Sequence, residues 1–132
     1  MIHPSPLLRQ SLLADAVISG GMALLLILAA SLLAPWLALP AAFLRNVGLF
    51  LVAYVAFVGW VARRTDPGTG LVWAVIALNA AWVVASIGLL FTELVAPSLL
   101  GQLFIAAQAL VVGLFAELQY IGLRRSGAQL PA

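Results

Sequence analysis

The sequence predicts an all-α, polytopic membrane protein, a bundle of four transmembrane helices. Three observations carry that prediction. Of its 132 residues, 65% are hydrophobic and 8% charged, against roughly 45–50% apolar and about 25% charged in soluble domains. Four apolar stretches each reach the ~20 residues needed to cross a bilayer. The arginines gather in small clusters at the ends of those stretches, where topology signals sit. So few charges cannot cover the surface of a water-soluble fold of this size. A soluble domain, a nucleic-acid binder and a disordered chain are therefore excluded.

The chain reads as a single domain over residues 1–132. The first span covers about Ala16 to Leu37 and continues an amphipathic lead-in that starts at Ser5-Pro6, Ser being a good N-cap and Pro a good first helical residue. Its apolar run follows Arg9 as the core of a signal peptide would. No Ala-x-Ala site comes after it, so it is expected to remain as a membrane helix. The turn Pro35-Trp36-Leu37-Ala38-Leu39-Pro40 leads to the second span, about Ala41 to Ala62. The segment Arg63-Arg64-Thr65-Asp66-Pro67-Gly68-Thr69-Gly70 is the one strongly polar loop and is rich in turn residues. The third span covers about Leu71 to Leu94. A break at Ala96-Pro97-Ser98 precedes the fourth, about Leu99 to Leu123, and a short polar tail follows from Ser126.

Arg9, Arg63, Arg64, Arg124 and Arg125 fall on one side, and Arg45 alone lies toward the other. The positive-inside rule then places both termini and the middle loop in the cytoplasm, with the chain expected in a bacterial inner (plasma) membrane. Trp36 near the outer boundary and Trp60, Trp73 and Tyr120 near the inner one agree with this orientation. The two hairpins look weakly alike. Ala16-Val17-Ile18 leads to Pro40 and then Arg63-Arg64, as Ala74-Val75-Ile76 leads to Pro97 and then Arg124-Arg125. Such units would be tandem parallel repeats related by an axis along the membrane normal.

The pI near 10.0 reflects an excess of only two positive charges, which topology explains. There is no cysteine, hence no disulfide, thiolate metal site or thiol redox chemistry. The single histidine, His3, precedes the first apolar run, so no membrane histidine offers a haem ligand. No G-x-S-x-G, H-E-x-x-H or Walker A motif is present. No cofactor or metal is implied, and an enzyme is not expected.

Polar side chains at membrane depth are costly and face protein or a watery cavity. Toward the outer side these are Arg45, Asn46, Thr92, Glu93 and Gln102. Near the middle are Asn79, Ser86 and Gln108. On the cytoplasmic side are Asp15, Ser19, Glu117 and Tyr120. Helical spacing sets them in seams: Ser11-Asp15-Ser19 in the first span, Arg45-Gly48-Val52-Ala56-Gly59 in the second, and Asn79-Ser86-Glu93 with Trp82 in the third. In the fourth the seam runs Gln102-Ala106-Ala109-Gly113-Glu117-Tyr120-Arg124. Small and polar residues along a seam are what close helix packing in lipid uses. Glu117 lies about 10 Å inside Arg124 along the helix and has Tyr120 one turn away as a hydrogen-bond donor. Arg45 is expected to meet Glu93, the one outer-side acid; the alternative is an anion or lipid-headgroup site. Asn79 and Gln108 are expected to form a midplane amide contact. Phe50, Tyr54, Phe57 and Trp82 are candidate contacts for an apolar ligand.

The Ala-rich hairpins, the stretch Asn79-Ala80-Ala81-Trp82-Val83-Val84-Ala85-Ser86 and the ending Ala116-Glu117-Leu118-Gln119-Tyr120-Ile121-Gly122-Leu123-Arg124-Arg125 resemble those of small four-helix integral membrane proteins of bacteria, most of them uncharacterised. The resemblance covers nearly the whole chain and implies a fold, with no activity attached. Small multidrug transporters are similar in size, but they carry an acid in the middle of their first helix, where this chain is apolar from Met22 to Ala30. The signatures of fluoride channels are missing.

Three functions follow as expectations. The first is a non-enzymatic accessory, assembly or structural subunit in contact with membrane lipids, forming a homo-oligomer or part of a larger membrane complex. The second is a small dimeric transporter or channel using Glu117 and Asp15, with Asn79 and Gln108 near the midplane. The third is binding of a lipid or apolar cofactor. No nucleic-acid partner is expected.

Overall fold

The structure is a computed structural model that describes residues 5–65 and 68–128. Five helices make it up: α1 (Pro6–Leu28), α2 (Ala30–Leu37), α3 (Ala41–Arg63), α4 (Thr69–Leu90) and α5 (Leu99–Ala128), with no strand among the described residues. α1, α3, α4 and α5 are each long and apolar enough to cross a membrane. His3, the Asp66-Pro67 turn and the tail beyond Ala128 lie outside the described residues.

Ser5 caps α1, its hydroxyl accepting from the Leu8 N–H at 3.1 Å with Pro6 in the first turn. The helix therefore starts ten residues ahead of the apolar run. The first predicted span is also broken, because Ala29 leaves helical geometry at φ −111°, ψ 16°. The ladder bridges this point through Ala29 N–H to Leu25 O and Leu33 N–H to Ala29 O, both at 2.9 Å. Pro35, expected in a turn, lies inside α2. The turn shrinks to Ala38–Pro40, where Ala38 closes the helix in the left-handed region at φ 53°, ψ 44°.

α4 stops at Leu90, short of the expected Leu94. Phe91 and Thr92 N–H groups turn back to Gly88 O and Leu89 O, and the Thr92 hydroxyl also donates to Leu89 O. These bonds satisfy the carbonyls a helix end leaves open. Ser98 then starts α5. Its hydroxyl accepts from the Gly101 N–H and donates to Trp36 O, while its N–H bonds Leu37 O. One serine thus caps α5 and ties it to the end of α2.

α1 packs antiparallel against α3, α4 against α5, and α1 against α5, whereas α3 and α4 scarcely touch. At the end of the bundle that carries the termini, Leu8, Leu12, Val58, Val61, Val72 and Val75 form one apolar core. At the opposite end Leu26, Leu37, Leu39, Leu44 and Ile105 form another. Close approaches at Gly48, Gly101 and Gly122 set these distances, Gly101 lying against the Leu37 carbonyl. A Cβ on Gly122 would fall 2.7 Å from the Leu8 backbone, and one on Gly48 would fall 2.7 Å from Ile27 Cγ1. The outward surface is itself apolar, with Leu28, Leu94, Leu110 and Phe91 more than three-quarters exposed, as lipid in place of water allows.

Candidate functional site

Between the two apolar cores every spanning helix contributes one buried polar side chain to a single cluster. Asp15 of α1, Tyr54 of α3, Asn79 of α4 and Gln119 of α5 are all buried, Asp15 at 1% and Gln119 at 0% exposure. Asp15 Oδ2 accepts from the Tyr54 hydroxyl at 2.6 Å, from Gln119 Nε2 at 2.8 Å and from Asn79 Nδ2 at 3.1 Å. Asp15 Oδ1 accepts from the Ser19 hydroxyl at 3.0 Å. Asn79 Nδ2 also donates to Gln119 Oε1 at 2.9 Å. The Tyr54 oxygen lies 2.6 Å from Asn79 Oδ1 as well. With one proton, it serves Asp15 or Asn79 at any moment. Among the described residues no buried side-chain N or O is left without a partner, the condition for a polar network inside a low-dielectric core.

Next to this cluster, toward the opposite end of the bundle, lies a cavity of about 410 Å³. All four spanning helices line it, and α3 and α4 are the two of them that touch least where they meet. Its walls are aliphatic and aromatic, including Leu51, Phe43, Phe104 and Phe115. Its polar lining is Ser19, Trp82, Ser86 and Gln108, with no ionisable residue. Three of these form a relay: Trp82 Nε1 donates to Gln108 Oε1 at 2.7 Å, and Gln108 Nε2 donates to Ser86 Oγ at 3.0 Å and Ile105 O at 2.8 Å. Trp82 also stacks on Phe50 across the α3–α4 gap, ring centres 5.6 Å apart and planes 11° apart. A separate narrow space of about 20 Å³ lies between Ser19, Tyr54, Asn79 and Trp82, residues shared by the cavity lining and the cluster.

Cavity and cluster thus draw together Asp15, Tyr54, Asn79, Trp82 and Gln108, with Phe50 at the edge. Tyr54, expected as an apolar contact, presents its hydroxyl to the cluster. The expected Asn79–Gln108 contact does not form, because Asn79 bonds Asp15 and Gln119 while Gln108 bonds Trp82 and Ser86. Arg45 and Glu93 do not pair either. Arg45 donates to Ser31 Oγ on α2 at 3.0 Å, and Glu93 stands exposed beyond the end of α4. Asn46 is exposed. Glu117 is exposed on the outer face of α5, and Tyr120 takes a hydrogen bond from Arg124 at 3.3 Å while its ring meets Trp73 at 5.7 Å. Phe57 packs beside Trp60 at 6.4 Å, away from the cavity.

No family model, curated protein or solved structure matches this chain. The resemblance to small four-helix membrane proteins therefore stands at the level of the four apolar spans. Among the described residues no three of His, Cys, Asp or Glu gather closely enough to hold a metal. Gln119 is the functional candidate that sequence reasoning missed. Its one signal was its place four residues before Leu123 and seven before Ser126, on the face that Gly122 turns toward α1.

Proposed function

We propose that this protein is a non-enzymatic membrane protein that binds an apolar, lipid-derived molecule in the cavity that all four spanning helices line. The observation that carries the reading is the cavity itself. About 410 Å³ falls within the roughly 300–1,000 Å³ of small-molecule sites, which are mostly apolar with a few fixed polar groups. The Asp15 cluster supports it by locking the four helices beside the cavity, so that α3 and α4 can stand apart without the bundle falling open. Such a protein serves as an accessory subunit, alone as a homo-oligomer or in a larger membrane complex. The arginine clusters favour termini in the cytoplasm.

Transport through Glu117 finds less support, since that carboxylate lies on the outer face of α5 and away from the cavity. A tandem-hairpin origin gains one observation. Asp15 and Tyr54 are 39 residues apart in the first hairpin, and Asn79 and Gln119 are 40 apart in the second. This register differs from the one that aligns Ala16-Val17-Ile18 with Ala74-Val75-Ile76.

Ala85, exposed within the cavity lining, offers the test. Native mass spectrometry of gently extracted protein should show a retained lipid-sized adduct, and Ala85→Trp should displace it while the helical content holds. An adduct retained in full by Ala85→Trp, or none in the unaltered protein, overturns the reading.

A further inference from the structure

Resting on that reading of the cavity, we infer that its occupant is an uncharged, single-chain lipid whose carbonyl or ether oxygen accepts a hydrogen bond from the Ser86 hydroxyl. The inference comes from counting hydrogens along the relay. The Trp82 indole can only donate, so Gln108 must turn its amide oxygen to it. Both amide hydrogens of Gln108 are then directed, one to Ile105 O and one to Ser86 Oγ. Ser86 is the acceptor in that bond, and its own hydrogen goes to no protein group among the described residues. Ser86 is 9% exposed and lines the cavity. The relay thus presents one oriented O–H donor inside an apolar chamber.

Charge and depth narrow the ligand further. No ionisable side chain lines the cavity, so a carboxylate, phosphate or amine would enter without compensation at a cost of several kcal/mol or more. A neutral oxygen acceptor is the chemistry that matches. Ser86 lies four residues inside the Leu90 end of α4, about 6 Å along the axis. That is deeper than the edge of the hydrocarbon layer, where the ester groups of a phospholipid are held by its headgroup. A free single-chain lipid can slide its oxygen to that depth, and a phospholipid cannot without drawing its headgroup in.

Trp82 reports on the site once Trp36, Trp60 and Trp73 are changed to Phe. Quenching of its fluorescence is then titrated with three bromine-labelled probes: a C18 fatty acid methyl ester, the C18 alkane and a phosphatidylcholine. The ester should quench saturably and bind about 2- to 10-fold more tightly than the alkane, the range one net hydrogen bond gives. Ser86→Ala should bring the ester down to the alkane, and Ser86→Thr, which keeps the hydroxyl, should restore it. Melting curves of both variants establish that they fold. Ester and alkane binding alike, with no effect of Ser86→Ala, would overturn the hydrogen-bond assignment and leave the cavity as a binding site. Phosphatidylcholine quenching as strongly as the ester would overturn the single-chain assignment. Quenching by none of the probes would overturn the cavity reading itself.

Discussion

The Asp15 carboxylate and the Tyr54 hydroxyl meet at 2.6 Å between α1 and α3, and the same carboxylate oxygen is reached by amides from α4 and α5. One atom therefore belongs to all four spanning helices. Hydrogen bonds between membrane helices average about 0.6 kcal/mol with a maximum near 1.7, but a buried acceptor whose loss strands several donors costs more than one bond. Tyr54→Phe removes one donor and leaves Asn79 and Gln119 in place, so a loss of about 0.5–1.5 kcal/mol is expected. Asp15→Ala takes an acceptor from Tyr54, Asn79, Gln119 and Ser19 at once, leaving Tyr54 to bond Asn79 Oδ1 and Asn79 to bond Gln119 Oε1, and should cost about 2–4 kcal/mol. Reversible unfolding in mixed micelles gives both values; Tyr54→Phe proving the worse of the two would contradict a carboxylate-centred cluster.

Glu117 and Gln119 make a contrasting pair on α5. Glu117 is exposed and has no hydrogen bond to the described residues, whereas Gln119 is fully buried and bonded to Asp15 and Asn79. Glu117→Gln is expected to leave stability within about 0.5 kcal/mol of the unaltered protein, and Gln119→Leu to lower it by about 1–2 kcal/mol. The same unfolding assay orders them. Measurable flux in vesicles that Glu117→Gln abolishes would restore the transporter reading.

The spans are legible in the sequence because apolar runs of ~20 residues have few stable homes other than a bilayer. Ser5 and Pro6 are legible for a local reason, an acceptor side chain and a fixed φ at a helix start. Asn79, Ser86 and Trp82 fall on one predicted seam and turn inward together. Rotation about the helix axis is what the sequence conceals. In lipid both faces of a helix are apolar, so the amphipathic stripe that orients a soluble helix is missing. Two residues on α5 stand about 200° apart at ~100° per residue. In the sequence a charge at membrane depth marks Glu117, while in the fold the contact of Gly122 with Leu8 turns Gln119 inward instead. The α3 seam is off by less: Gly48 is buried as expected, but Leu44, Leu51 and Tyr54 face inward in place of Arg45, Val52 and Ala56.

Gly122 itself is a sharp test of the α1–α5 contact. A Cβ there would meet the Leu8 N and Cα at 2.7 Å, while one at Gly88 would meet nothing within 4 Å. Backbone cannot yield as a side-chain tip can. Gly122→Ala should therefore destabilise by about 1–3 kcal/mol, the usual range for overpacking. Gly88→Ala, inside α4, should be neutral or stabilising by up to about 1 kcal/mol, since it lowers the entropy of the unfolded chain. Ser5 would feel the first change as well. Its hydroxyl donates to Gly122 O at 2.9 Å and its N–H donates to Ser126 Oγ at 2.7 Å, so amide exchange at Ser5 should quicken in Gly122→Ala and stay unchanged in Gly88→Ala.

Ala38 ends α2 in the left-handed region at φ 53°, ψ 44°, the one positive-φ residue other than glycine among those described. A Cβ in that region approaches the neighbouring carbonyl oxygen and costs roughly 1–2 kcal/mol, partly offset by the freedom a glycine loses on folding. Helices commonly place glycine at this position for that reason. Ala38→Gly is thus expected to stabilise the protein by about 0.5–1 kcal/mol. The gain should register as a higher midpoint of unfolding with an unchanged denaturant slope, because the native contacts of α2 with α5 through Leu37 and Ser98 stay as they are. Ala38→Val, a β-branched side chain at the same φ, should move the midpoint the other way. Equal midpoints for the glycine and valine variants would mean that Ala38 does not hold the left-handed conformation.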